Sequence, residues 1–133
     1  MKSFVRTLVF FLAMIPAMSI AQQKGKTWAE QENFHTFMSS TFHPAEDGNF
    51  QPLREKANDM LAAAQKWASS DIPGDYDTDK TKAELHTLVK LVNGLADAVH
   101  ANADDTKLLP LITSAHDSFH RIVGECKIKN DSN

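Results

Sequence analysis

Apolar residues recur every three to four positions in four separate stretches of the chain, the spacing that lays one stripe along a helix. Thr27-Trp28-Ala29-Glu30 has the Ser/Thr-x-x-Glu form of a capping box, so the first helix is predicted to begin there and to run to about His43, where Pro44 stops it. Gln31, Phe34, Met38, Thr41 and Phe42 form its inward arc; His35 lies on one edge of that arc and His43 further round on the same side. Pro44 to Asn49 reads as a turn, and a second helix follows with Pro52 near its first position. Leu53, Ala57, Met60, Leu61, Ala64, Trp67 and Ala68 give it the cleanest stripe of the four, ending before Ile72-Pro73-Gly74.

Asp71 to Lys80 is a long loop with aspartates at 71, 75, 77 and 79. Asp-x-Asp-x-Asp at 75, 77 and 79 lacks the glycine and distal glutamate of a calcium loop, so it reads as a solvated acidic segment. A third helix is predicted from near Thr78, with Leu85, Leu88, Val89, Val92, Leu95, Ala96 and Val99 inward and His86 and His100 on the outer flank. Asp105 is placed to cap a fourth helix, which Pro110 should kink. In this helix Ile112, Ala115, Phe119, Ile122, Val123 and Cys126 share one face, with His116 and His120 on its edge. Four helices, short links, no strand pattern and no internal repeat predict an all-α, up-down-up-down antiparallel four-helix bundle over 27–128.

The N-terminal segment changes the address. Lys2 and Arg6, an apolar run from Leu8 to Met18, and Ser19-Ile20-Ala21 have the form of a secretory signal peptide over 1–21, followed by a loose leader at 22–26; 129–133 reads as a flexible tail. A periplasmic or secreted location is expected, with no membrane contact after cleavage. Removing Lys2 and Arg6 leaves 12 Lys+Arg against 17 Asp+Glu, a net charge of −5. With no basic stripe, nucleic acid and anionic membranes are poor partners. Cys126 is the only cysteine, so no internal disulfide is available; its position favours a buried thiol over a ligand or a bridge to a second copy in a homodimer.

All six histidines lie beyond residue 21, and they carry the candidate chemistry. Residues at i and i+4 of a helix stand over one patch of surface, so one metal ion can reach both His116 and His120. Counting turns from a common base at Trp28, Ala68, Asp79 and Lys127 puts His35, His86 and His120 at one height, with Met38, Met60 and His116 about a turn above. The histidines of helices one, three and four are rotated in the same sense from their apolar centres, which leaves two pairings. Either helix one brings His35 and His43 to His116 and His120, or helix three brings His86 or His100. The first gathers four histidines and is favoured. The resulting expectation is a transition-metal site, copper or zinc first, drawn from His35, His43, His116 and His120. Glu46 and Asp47 are weaker donors, and Met38 and Met60 are either core filling or soft ligands that would favour copper. Asp117 points away from the pair.

An exported four-helix bundle of this length resembles cytochrome c′ and cytochrome b562 in architecture. The segment His116-Asp-Ser-Phe-His120-Arg-Ile-Val-Gly-Glu-Cys126 has no Cys-x-x-Cys-His, so the resemblance does not extend to covalent haem. Its cytochrome b562 side implies non-covalent haem b and electron transfer, with Met38 and His116 (or His120) as the matching residue types, although Met38 lies well inside helix one. A third reading is a cofactor-free interaction or stress protein. No Ser-His-Asp or Cys-His set and no phosphate loop is present, and Glu125 is too far along the helix to serve a hydrolytic metal, so the sequence leans away from an enzyme.

Overall fold

A computed structural model describes residues 27–129, so the leader expected over 1–21, the segment 22–26 and most of the expected tail lie outside the described residues. Within them, four helices follow one another: α1 (Ala29–Glu46), α2 (Gln51–Ala68), α3 (Thr78–His100) and α4 (Asp105–Glu125). Each packs extensively on the next, and α1 meets α4 more sparsely to close the ring, the arrangement of a four-helix bundle. No helix among the described residues is long and apolar enough to cross a membrane.

The expected stripes form the core. Phe34, Met38, Leu53, Met60, Trp67, Leu85, Leu88, Val92, Leu95, Leu108, Ile112 and Ile122 are essentially sealed from solvent. Near the base, the rings of Phe34, Phe119 and Trp28 surround Trp67 at centroid distances of 5.5, 5.9 and 5.5 Å. Cys126 is buried and unpaired by any disulfide.

The helix ends differ from the sequence expectation, each for a local reason. The α1 N-cap is Trp28 rather than Thr27, with no side-chain capping bond. Trp28 packs edge-on against Trp67 and Tyr76, and its Nε1 donates to Ser70 Oγ at 2.9 Å, so tertiary packing sets this start. Pro44 does not stop α1; it lies inside the last turn. A proline there forfeits one N–H, while its carbonyl accepts from Asn49 N at 2.8 Å and Ala45 O accepts from Gly48 N at 3.0 Å. That is a Schellman closure, with Gly48 at φ +85° as the terminator. The same closure ends α3, with Asn102 at φ 53° and bonds from Ala103 N to Ala98 O and Asn102 N to Val99 O, both 3.0 Å.

Asp104, not Asp105, stands at the α4 N-cap; Asp105 instead accepts from Arg54 Nη2 at 2.7 Å. Asp77 of the acidic loop caps α3, its Oδ1 accepting from Lys80 N at 2.9 Å. The rest of that loop is tied to the end of the chain. Asp77 N donates to Cys126 O and Ile128 N to Asp75 O, both at 2.8 Å, around an isolated antiparallel bridge between Tyr76 and Lys127.

Candidate metal centre on the α1/α4 edge

The contacts of α4 decide which histidines meet. One flank of α4 faces α3, where Arg121 Nε lies 3.3 Å from Glu84 Oε2 and Lys80 Nζ donates to Glu125 O at 3.1 Å. The other flank, which carries His116 and His120, faces α1. His86 is exposed beside the α2/α3 groove lined by Gln65, Ala68, Ser69, Lys82 and Val89, and His100 is exposed in the last turn of α3. Of the two pairings open to the sequence, the fold adopts the one between α1 and α4.

His116 and His120 meet edge to face, ring centroids 4.4 Å apart, with their Nε2 atoms separated by 3.1 Å. At that distance one ring N–H donates to the other's lone pair, or both lone pairs face a shared cation. Phe42 of α1 covers one face of His116, centroids 3.8 Å apart and planes at 13°. His43 stands edge-on to His116 with centroids 6.5 Å apart, and its Nδ1 lies 3.2 Å from Glu46 Oε2. His35 lies a further step down the seam, flat on Phe119 at 5.1 Å and 3°. The α1/α4 seam is therefore lined by alternating aromatic and imidazole rings. As placed, no group of three or more His, Cys, Asp or Glu side chains among the described residues stands close enough to hold one ion.

The surroundings set the state of the central ring. Burial foremost, and then the neighbouring His120, push His116 below the ordinary histidine value of 6.5; His43 adds to this, while Asp117 and Glu46 oppose it. A neutral imidazole is the form that ligates metals. Asp117 is largely exposed, its Oδ1 3.9 Å from His116 Nδ1. Among the described residues no sulfur stands at this edge: Met38, Met60 and Cys126 are at most 1% exposed, and Thr41 Oγ1 lies 4.0 Å from Met60 Sδ. Of the haem-type pair suggested by the resemblance, Met38 is in the core and His116 is stacked under Phe42. The role of Phe42 was legible in the sequence only as an inward position; that it caps an imidazole from α4 depends on the handedness of the bundle.

Set against family models, curated proteins and solved structures, the chain matches none.

Proposed function

We propose that the protein binds a divalent transition-metal ion at the α1/α4 edge, with His116 and His120 as the chelating pair and α1 supplying the further donor, and that it does so as an exported protein. The observation that carries this reading is the 3.1 Å separation of the two Nε2 atoms. With metal–nitrogen bonds of about 2.0–2.1 Å, nitrogens so spaced subtend about 100° at the ion, between the square-planar and tetrahedral angles. The pair therefore needs little rearrangement to chelate. A depressed His116 pKa supports the reading further, because protons then compete less with the metal for this imidazole near neutral pH.

The donor chemistry narrows the ion. Imidazole nitrogen with carboxylate oxygen nearby, and sulfur confined to the core, suits zinc, copper(II) or nickel better than copper(I), which prefers thiolate and thioether. The test is thermal unfolding of the protein with and without Zn²⁺, and separately Cu²⁺. An ion that binds only the folded chain at a hundredfold excess over Kd stabilises it by about 2.7 kcal/mol. The melting temperature should rise for the native sequence and stay fixed for the double variant H116A/H120A. Equilibrium dialysis that finds neither ion retained, with no thermal shift, would refute the proposal.

A further inference from the structure

We infer that His43, and not His35, is the α1 ligand that completes this site, and that the Glu46 carboxylate is the group that orients it. The inference rests on the metal-binding reading of the His116/His120 pair and goes beyond it by naming the third donor and its support.

Three observations converge. The Nδ1 of His43 lies 3.2 Å from Glu46 Oε2. A carboxylate accepting there holds the proton on Nδ1 and leaves the lone pair on Nε2, the arrangement by which ligating histidines are oriented and made more basic. Second, His43 has a short distance to cover. Two imidazoles bound to one ion through nitrogens at about 2.0–2.1 Å and about 100° have ring centroids about 5 Å apart. His116 and His120 already stand at 4.4 Å, and His43 and His116 at 6.5 Å. The missing approach of about 1.5 Å is within a side-chain rotation, which at an exposed position takes picoseconds to nanoseconds, and the His43 side chain is 65% exposed. As the side chains lie, no three-donor group is formed among the described residues. Third, His35 is held elsewhere, its ring parallel to Phe119 within 3°. Turning it toward the pair would give up that stack. An ion held by His43, His116 and His120 would span the seam at which α1 and α4 contact each other most sparsely.

Co²⁺ is the spectroscopic probe, with Zn²⁺ competition against a chromophoric chelator as the affinity measure, on the full chain and four variants. His43 and Glu46 are exposed, so H43A and E46Q should fold, as the metal-free circular-dichroism melt will show. H43A should weaken Zn²⁺ binding at least about tenfold and change the visible Co²⁺ spectrum, as expected for a lost ligand. H35A should bind within about twofold of the native chain. E46Q should weaken binding by about 10- to 100-fold, the range for loss of an orienting partner, while leaving the Co²⁺ band shape intact. Native binding that is lost in H116A/H120A but kept in H43A overturns the inference and leaves the chelating pair standing, as does loss of binding in H35A. A Co²⁺ spectrum altered in E46Q as in H43A makes Glu46 a ligand and overturns its orienting role. Absence of binding by the native chain removes the metal reading and this inference together.

Discussion

The imidazole of His116 lies flat against the phenyl ring of Phe42, one from α4 and one from α1, with centroids 3.8 Å apart. This stacked pair, one of two among the described residues that join α1 to α4, has several consequences. It covers one face of a titratable ring, it joins the first and last helices, and it leaves the nitrogen-bearing edge of His116 turned toward His120, Nε2 to Nε2.

Acid should destabilise the fold through His116. Its proton affinity in the folded protein is lowered, chiefly by burial, from 6.5. The unfolded chain therefore takes up the proton first. The stability held above about pH 6.5 falls as pH drops through the folded pKa and then levels off, as far as this group is concerned. Urea unfolding at about pH 7.5 and about pH 5 should show a larger loss for the native chain than for His116→Asn. Equal losses would count against a depressed His116.

Removing the ring that covers it should act on both stability and titration. Phe42 is 6% exposed, and truncating a buried phenylalanine costs about 3–5 kcal/mol. Phe42→Ala should lower the urea midpoint accordingly, and histidine NMR titration should find the His116 pKa moved back toward 6.5. A midpoint unchanged in Phe42→Ala would mean that the seam is not packed through this contact.

The thiol of Cys126 should be inert in the native protein. It has no solvent exposure, and burial pushes its pKa above the ordinary 9.0, so little thiolate is present near neutral pH. Ellman's reagent should react with one equivalent only after denaturation. Rapid reaction without denaturant would show that the base of the bundle opens readily.

Two glycines should respond to alanine with opposite sign. Neither position has an atom within 4 Å of an added Cβ, so backbone conformation alone decides. Gly48 sits at φ +85°, where an L side chain is strained, and Gly48→Ala should destabilise by about 1–2 kcal/mol. Gly94 lies in the interior of α3, and Gly94→Ala should stabilise by about 0.8–1 kcal/mol, measured by chemical denaturation.

What the sequence revealed about the bundle, and what it hid, follows from the range of the forces concerned. Stripes such as Leu53–Ala57–Met60–Ala64–Trp67 are set by burial on one face, which periodicity reports directly. Helix ends are settled by contacts further away. Nothing near Thr27 in the chain announces that Trp28 will pack on Tyr76, and Pro44 looks like a terminator until Gly48 and Asn49 are seen to close the turn behind it. At the candidate site, the i, i+4 relation of His116 and His120 was visible because a helix imposes it. Which helix would face that pair was not, because rotation in the same sense on helices one, three and four is compatible with either hand of the bundle. Nor could spacing along α1 distinguish His35 from His43; their difference lies in Phe119 under one ring and Glu46 beside the other.

Trp28 opens the bundle and Lys127 leaves it, and both meet Tyr76, one through its ring and the other through a backbone bridge. Entry and exit of the helical domain are thus neighbours, the geometry that tolerates circular permutation. A short polar linker from Lys129 to Thr27, with new termini opened after Asn49 so that its bond to Pro44 O is kept, should preserve all four helices. In such a rearranged chain α4 and α1 become consecutive, so the two helices that carry the paired imidazoles and His43 would form a single hairpin.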